Sequence, residues 1–256
     1  MEMSLKGAFG MEGKTVLITG GGSGLGFAMA QCFVAAGARA VIVGRREDVL
    51  KEACAKLGER AQYRTFDVTE FDHIPDFVAQ IEHEIAPVDV LINNAGRHCK
   101  KPVSDVTLDD MRAVFDVHIL ASHAFSKAVL PGMIERHDGS ILFISSMSAY
   151  LGMTQVAAYS AAKTAVLGMT RSYAGEVSQY GVRVNAIAPG FIDTPMFRKA
   201  TDADPARQKR ILGHTPMERY GEPLDVGWAA VYLASPAAKF VTGVCLPVDG
   251  GCCIGF

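Results

Sequence analysis

The sequence predicts an α/β fold in which helices cover both faces of a mainly parallel sheet. Short, almost wholly apolar runs alternate with longer helical segments along the 256 residues. Strands buried inside a parallel sheet are apolar on both of their faces, so this alternation is the pattern expected for such a fold. In addition, a glycine-rich turn at residues 20–26 separates the first apolar run from the first helical segment. A strand, a glycine turn and a helix in this order are typical of dinucleotide-binding folds.

Seven apolar runs are predicted to be strands because they are short and rich in β-branched residues. They cover residues 14–19, 40–43, 62–65, 88–92, 141–144, 182–187 and 244–248. Helices are predicted between them over about 24–36, 47–57, 74–85 and 108–131, and onward from residues 156 and 223. Because no linker or low-complexity segment interrupts the alternation, we expect one Rossmann-like, doubly wound domain over residues 1–256.

Composition excludes several classes of function. The formal net charge of −2 provides no basic surface for nucleic acid or for an anionic membrane. No apolar run approaches about 18 residues, so the sequence predicts no membrane-spanning segment. Residues 1–13 lack the apolar core of a signal peptide, and we therefore expect a cytoplasmic protein.

The six cysteines predict neither a metal site nor disulfides. They are scattered along the chain without the spacing of a zinc site or of a disulfide framework. A small buried side chain is the ordinary role of such a cysteine. The adjacent thiols of Cys252 and Cys253 are the two candidates for oxidation.

Tyr159 and Lys163 are the strongest candidates for chemistry. The helix predicted from residue 156 places them at positions i and i+4, on one face, although such a pair often lies on a solvated helix surface. A phenol with a pKa near about 10 is a weak acid and base at neutral pH, and a neighbouring cation lowers that pKa. Ser146 follows the strand predicted at 141–144 and supplies a hydroxyl. Together these groups suit protonation of a carbonyl oxygen while a hydride reaches its carbon.

The glycine turn and the second strand predict which cofactor binds. Glycines allow a close approach to a pyrophosphate, and the helix that follows them presents free N–H groups to its charge. Arg45 and Arg46 follow the second predicted strand, where an acid binds the adenosine ribose in many dinucleotide folds. Because an arginine at this place accommodates a 2′-phosphate, the sequence favours NADP(H) over NAD(H).

The chain as a whole resembles the short-chain dehydrogenase/reductase family in its common single-domain form. Each family motif is weak by itself, but all of them occur here in order and at the right intervals. In this sequence they are Thr19-Gly20-x-x-x-Gly24-x-Gly26, Asp67-Val68, Asn93 to Gly96, Ser146, Tyr159-x-x-x-Lys163, Pro189-Gly190 through Thr194, and Asp249 to Gly251.

The resemblance implies hydride transfer between NAD(P)(H) and a carbonyl or secondary alcohol. It implies that Tyr159 is the general acid in reduction, that Lys163 lowers its pKa and holds the nicotinamide ribose, and that Ser146 hydrogen-bonds the substrate oxygen. The implied cofactor contacts are Gly20, Gly22, Ser23, Gly24, Leu25, Gly26, Arg45, Arg46, Asp67, Val68, Asn94, Ala95, Gly96, Tyr159, Lys163, Pro189, Gly190, Ile192 and Thr194. Ser23 opposes the NADP(H) assignment, because many NADP-using members have a basic residue there.

His118 departs from the family pattern. It stands where the family usually has an asparagine that helps to hold a water in a proton relay from the lysine to solvent. A histidine on a mostly apolar helix is more often structural than catalytic, so both alternatives stay open. In the relay alternative, protonation of His118 lowers turnover with an apparent pKa near about 6 to 7.

The resemblance leaves the substrate open. It favours a sugar acid or polyol, as in gluconate 5-dehydrogenase-like members, with 3-oxoacyl-thioester reductases as the alternative. Reduction of a C=C bond is less expected, because the enoyl-reductase branch spaces its tyrosine and lysine more widely. A non-catalytic dinucleotide sensor or scaffold is the alternative of another class. By analogy, loops near His98, at 148–155 and at about 195–221 line the substrate pocket, and a homotetramer is expected rather than a dimer.

Overall fold

One parallel sheet forms the centre of the molecule in a computed structural model. The structure describes residues 4–201 and 204–255, without the side chains of residues 196, 199 and 200. Seven strands lie in the order β3-β2-β1-β4-β5-β6-β7, and every neighbouring pair is parallel. The strands are β1 (Thr15–Thr19), β2 (Arg39–Gly44), β3 (Ala61–Thr65), β4 (Val90–Asn93), β5 (Gly139–Ile144), β6 (Val182–Pro189) and β7 (Cys245–Val248).

Helices cover both faces of this sheet. The helices are α1 (Leu5–Phe9), α2 (Gly24–Ala35), α3 (Glu47–Leu57), α4 (Ile74–Glu84), α5 (Leu108–Phe115), α6 (Ala121–Glu135), α7 (Ala157–Val177), α8 (Pro195–Thr201), α9 (Pro205–Gly213) and α10 (Pro223–Ala234). Apolar residues of α2, α3 and α10 pack on one face of the sheet. Those of α4, α6 and α7 pack on the other, and each cluster contains fully buried residues. The predicted Rossmann-like, doubly wound fold is therefore confirmed.

The order of the strands fixes where a ligand can bind. From β1 the chain moves outward to β2 and β3, and then returns to place β4 on the opposite side of β1. In open α/β sheets, ligands bind outside the carboxyl ends of the strands at such a reversal. The turns that follow β1 and β4 carry the glycine motif and the Asn93 to Gly96 motif. Both motifs thus lie at the same edge of the sheet.

Several predicted boundaries shift: β5, predicted at 141–144, begins at Gly139, and β6, predicted at 182–187, ends at Pro189. Two further shifts have local reasons. The strand predicted at 88–92 begins at Val90, because the Val88 N–H is hydrogen-bonded to the Glu82 carboxylate instead of the sheet. The helix predicted at 108–131 continues to Glu135, although Pro131 lies inside it. Pro131 is on the exposed side, where water can satisfy the carbonyl that loses its N–H partner.

The continuous helical stretch Leu108–Glu135 is long and apolar enough to cross a bilayer, by length and composition only. Its residues Phe125, Val129 and Met133 are fully buried, in the apolar cluster shared with the sheet. These residues pack as those of a core helix do, whereas Leu108 and Leu120 of the same stretch are exposed.

Candidate active site

Ser146 and Tyr159 meet beyond the carboxyl end of β5. The Ser146 hydroxyl lies close enough to the Tyr159 phenol to act on its pKa, which it lowers. The Ser146 Oγ also accepts a hydrogen bond of 3.1 Å from the Ser148 N–H, which opens a short 3₁₀ turn at Met147–Ala149. Because its oxygen is used as an acceptor there, the Ser146 hydroxyl proton is available for the phenol oxygen or for a substrate oxygen.

Lys163 is buried next to the same tyrosine. Its side chain is 4% exposed, and its Nζ lies 5.4 Å from the centre of the Tyr159 ring. The Nζ donates a hydrogen bond of 2.6 Å to the Ile144 carbonyl, while the Ser145 hydroxyl donates one of 2.9 Å to the Lys163 carbonyl. Burial disfavours the ammonium form and lowers the pKa of Lys163 to about 7. The end of β5 therefore positions the lysine through two contacts that the sequence did not indicate.

The pKa of Tyr159 moves in the direction opposite to the prediction. Burial raises it, and the hydrogen bond from Ser146 acts against that rise. The Lys163 ammonium is hydrogen-bonded to a carbonyl, and burial lowers the pKa of Lys163, which disfavours its charged form. Lys163 is not among the groups that act on the phenol pKa in the protein by itself. Ser146 is the neighbour that favours the phenolate here.

His118 lies in a π-helical segment, Asp116–Leu120, that joins α5 to α6. Its ring is buried and meets the Tyr159 ring edge to face, with centroids 5.5 Å apart and an interplanar angle of 84°. The Nε2 atom lies 3.1 Å from the Arg97 nitrogen and 2.9 Å from the Arg97 oxygen. Because one tautomer accepts from the N–H and the other donates to the carbonyl, either tautomer holds this backbone.

The surroundings of His118 oppose the protonation that was predicted for its ring. Burial and then the nearby Lys163 lower the pKa of His118 to about 3. The ring is therefore neutral throughout the physiological range, and the predicted loss of turnover with a pKa of 6 to 7 cannot come from this residue. The hydrogen bonds to Arg97 give the ring a structural role.

We expect His118→Asn to change stability in acid rather than the pH profile of turnover. Between pH about 3 and the unfolded-state pKa of about 6.5, the unfolded chain binds a proton at His118 that the native protein does not. Stability therefore falls as the pH drops through this window, and the asparagine variant should lose less melting temperature between pH 7 and pH 4.5. Melting scans and pH–rate profiles of both proteins test this. A larger acid loss in the variant contradicts the neutral ring.

The glycine turn has the shape that a bound pyrophosphate requires. Gly20 and Gly24 have φ angles of +66° and +55°, which favour glycine. A Cβ on Gly26 would lie 2.3 Å from the Gly20 carbonyl oxygen, so this glycine permits the helix to pack against the strand. A Cβ on Gly24 would meet nothing within 4 Å, and Ser23 makes no side-chain capping bond to α2. The Ser23 side chain therefore does not occupy the N–H groups at the start of α2, and the glycine turn fits a pyrophosphate.

Thr19 and Asn94 connect this turn to β4. The Asn94 amide donates to the Thr19 and Gly20 carbonyls at 2.9 and 3.1 Å. The Thr19 hydroxyl accepts from the N–H groups of Asn94 and Ala95, both at 3.0 Å. Asn94 and Ala95, both predicted cofactor contacts, thus use these polar groups to hold the glycine turn. Thr19 is a site residue that was not identified from the sequence, although its place between the strand and the first glycine is a signal for this role.

Arg45 and Asp67 form an ion pair of 3.5 Å at the ends of β2 and β3. Burial acts to raise the pKa of Asp67, but hydrogen bonds from Thr69 and the Arg45 charge outweigh it and lower the pKa. Val68, next to Asp67, is 8% exposed and packs in the core. Within residues 4–201 and 204–255, no ion pair involves the exposed Arg46, because the neighbouring Glu47 pairs with Lys51 at 3.0 Å.

The residues predicted to face the nicotinamide follow β6. The Gly190 N–H donates to the Val248 carbonyl at 3.0 Å, and a Cβ on Gly190 would lie 2.6 Å from the Asp249 Cα. Ile192 is buried and forms an isolated bridge with Gly221. The Thr194 hydroxyl accepts from the Phe197 N–H at 3.2 Å and caps α8. These contacts fix the segment between β6 and the predicted substrate loop, part of which, residues 202 and 203, lies outside the described residues.

The thiols of Cys252 and Cys253 both have raised pKa values. Cys252 is buried, and burial raises its pKa. Burial, followed by Asp249, raises the pKa of Cys253 to about 12. Because the thiolate is the oxidisable form, the candidate role of these two residues in oxidation is not supported. In the part of the chain that the structure describes, no group of three or more histidine, cysteine or acidic side chains is arranged to hold a metal ion.

Comparison with curated proteins finds related enzymes along nearly the whole chain. The 5-keto-D-gluconate 5-reductase of Escherichia coli (strain K12) is 36% identical over 246 residues, covering 95% of this chain and 96% of that protein. The 3-oxoacyl-(acyl-carrier-protein) reductase of Vibrio harveyi is 34% identical over 241 residues, covering 94% and 98%.

Comparison with solved structures and family models also finds related enzymes along nearly the whole chain. The crystal structure of a gluconate 5-dehydrogenase from Burkholderia cenocepacia in complex with NADP and tartrate superimposes with a TM-score of 0.92 at 32% identity, covering 97% of this chain and 98% of that one. A family model described as enoyl-(acyl carrier protein) reductase matches residues 20–253. The chain therefore belongs to the short-chain dehydrogenase/reductase family and is an NAD(P)(H)-dependent oxidoreductase.

Proposed function

We propose that this enzyme interconverts the keto and secondary-alcohol forms of a sugar acid of the gluconate class, with NADP(H) as its preferred cofactor. The observation that carries the proposal is the convergence of Ser146, Tyr159 and Lys163 at the edge of the sheet that also carries the glycine turn. The choice of substrate is supported by the Escherichia coli and Burkholderia cenocepacia proteins, whose names give keto-gluconate and gluconate.

In this proposal, Tyr159 delivers a proton to the carbonyl oxygen during reduction and removes it during oxidation. Ser146 donates its hydroxyl proton to the same oxygen, which holds the substrate and stabilises the developing negative charge. The bound cofactor supplies or accepts the hydride. Lys163 lies beside the phenol and donates a hydrogen bond to the Ile144 carbonyl. In this proposal its amine is a hydrogen-bond donor whose protonation changes with that of the site.

The cofactor contacts in the proposal extend along the edge of the sheet. The residues that would hold the cofactor are those after β1, Gly20, Gly22, Ser23, Gly24, Leu25 and Gly26; those after β2 and β3, Arg45, Arg46, Asp67 and Val68; those after β4, Asn94, Ala95 and Gly96; and those at and after the end of β6, Pro189, Gly190, Ile192 and Thr194. Their N–H groups and small side chains suit a pyrophosphate and a nicotinamide. Tyr159 and Lys163 complete the set.

The preference for NADP(H) rests in this proposal on Arg46. We expect Arg46→Ser to raise the Kd of NADPH about tenfold or more, because a hydrogen bond to a charged group contributes about 1.5–3 kcal/mol. The Kd of NADH should stay within about twofold. Lys51→Gln is the matched control, since its exposed cation on α3 is already paired with Glu47. Tighter binding of NADH than NADPH to the wild type refutes the preference.

A panel of carbonyl substrates tests the proposed function. Purified protein is assayed for NADPH and NADH consumption with 5-keto-D-gluconate, other keto-sugars and an acetoacetyl thioester. We expect the keto acid to have the highest kcat/KM. The second candidate, a 3-oxoacyl-thioester reductase, is supported by the Vibrio harveyi relative and predicts a preference for the thioester. Cofactor binding without turnover of any carbonyl compound is the result that a sensor or scaffold predicts.

The proposal includes a single domain, with the substrate loop at about 195–221, in a cytoplasmic homotetramer. Exposed apolar side chains are available for an interface: Leu108 is 73% exposed, Leu120 47% and Trp228 50%. Light scattering on the purified protein distinguishes a tetramer from a dimer or a monomer.

A further inference from the structure

The segment from Arg97 to Lys101 passes beside Tyr159 and is fixed at both of its ends. At one end, His118 holds the Arg97 backbone through Nε2. At the other end, the Lys101 N–H donates to the Gln155 carbonyl at 2.9 Å, and the Lys101 ammonium contacts Asp110 at 2.7 Å. The two anchors belong to the helix and the loop that also surround Tyr159, so the residues between them keep a defined position next to the phenol.

His98 lies directly on the tyrosine ring. The two rings are stacked, with centroids 4.8 Å apart and an interplanar angle of 21°, while the rest of the imidazole is exposed. Cys99 turns inward and packs against the small apolar cluster that contains Ala158 and Ala162. Because Cys99 points into the protein, the flanking side chains of His98 and Lys100 are displayed on the outside of the segment.

The charges around His98 are positive. Burial is the largest of the causes that lower the pKa of the His98 ring. The positive charges of Lys100, Arg207 and Lys163 lower this pKa further, because they oppose protonation of the ring. Within residues 4–201 and 204–255, the structure gives Lys100 no ion pair, in contrast to Lys101 and Arg198, which contact Asp110 and Asp193. A neutral imidazole that can donate one N–H, next to an unpaired ammonium, is a suitable environment for an anion.

We propose that His98 and Lys100 form a carboxylate subsite beside Tyr159, which selects an acidic substrate over its uncharged analogue. In this arrangement Lys100 forms an ion pair with the carboxylate, and His98 donates a ring N–H to it while its stacking on Tyr159 fixes the position of the contact. The carboxylate is remote from the reacting carbon, so the subsite contributes to binding more than to the chemical step. This inference rests on the proposed function and specifies which part of a sugar acid is recognised.

The test compares D-gluconate with D-gluconamide, in which a neutral amide replaces the carboxylate. For Lys100→Gln we expect KM for gluconate to rise about tenfold or more, with kcat within about twofold, because a charged hydrogen bond is lost from binding. His98→Gln should raise the same KM by a smaller factor. Lys100→Gln should not change kcat/KM for gluconamide by more than about twofold. Lys56→Gln, which removes an exposed cation on α3, is the control for the change of charge.

Two results overturn the inference, and they are distinguishable from each other. If the wild type oxidises gluconate but Lys100→Gln leaves its KM unchanged, or affects acid and amide equally, the subsite is wrong and the proposed function stands. If the wild type does not turn over gluconate or 5-keto-D-gluconate at all, both proposals are wrong.

Discussion

Tyr159→Phe is expected to bind NADPH as the wild type does and to lose turnover by a factor of about 10² to 10⁴. The phenylalanine ring keeps the stacking with His98 and the edge contact with His118, so the pocket stays assembled. What is lost is the hydroxyl that bonds Ser146 and, in the proposed mechanism, carries the proton. Single-turnover rates and the NADPH Kd of the variant measure the two properties separately.

Ser146→Ala is the informative companion to this variant. It keeps the phenol but removes the hydrogen bond that opposes the rise in the Tyr159 pKa. A shift of the basic limb of the pH–rate profile to higher pH is therefore expected.

Turnover of Tyr159→Phe within a few-fold of the wild type would falsify the assignment of the proton donor.

Lys163→Met is expected to have the second largest effect, a loss of turnover of at least about 100-fold. Methionine has a similar length and fills the buried site, but it cannot donate to the Ile144 carbonyl or serve the phenol. The variant thereby separates the contribution of the amine from that of packing.

The pH dependence of stability gives an independent readout for Lys163. Its pKa is about 7 in the native protein and about 10.4 when unfolded, so only the unfolded chain holds this proton between the two values. Stability conferred by this linkage therefore rises with pH from about 7 to about 10. The difference in melting temperature between the wild type and Lys163→Met should change in favour of the wild type across this window. A constant difference would show that Lys163 is not desolvated.

The fold could be predicted because its signals are local. Each strand is a short apolar run, and the turn at Gly20 to Gly26 is marked by residues that few other structures need. The strand that begins at Val90 instead of residue 88 was misplaced because a carboxylate of Glu82, from α4, takes the Val88 N–H. The pattern of apolar residues in the sequence does not indicate that contact.

The candidate site was less predictable than the sheet. The identities of Ser146, Tyr159 and Lys163 followed from their spacing, but the pKa directions of the tyrosine and lysine depend on burial, which emerges only in the folded protein. His98 stacks on Tyr159 directly after a hydrogen bond that joins the Arg97 backbone to His118, and Arg97 and His118 are 21 positions apart in the sequence. The π-helical segment that aims His118 has no sequence pattern of its own.

Isotope transfer tests most directly whether the Ser146, Tyr159 and Lys163 site carries hydride transfer to a sugar keto acid. The enzyme is incubated with 5-keto-D-gluconate and NADPH deuterated at the transferable position of its nicotinamide, and the product is analysed by mass spectrometry and NMR. We predict one deuterium on the carbon of the new secondary alcohol, and none with Tyr159→Phe over the same time. A wild-type product without deuterium, or NADPH that is not consumed, would contradict the proposed reaction.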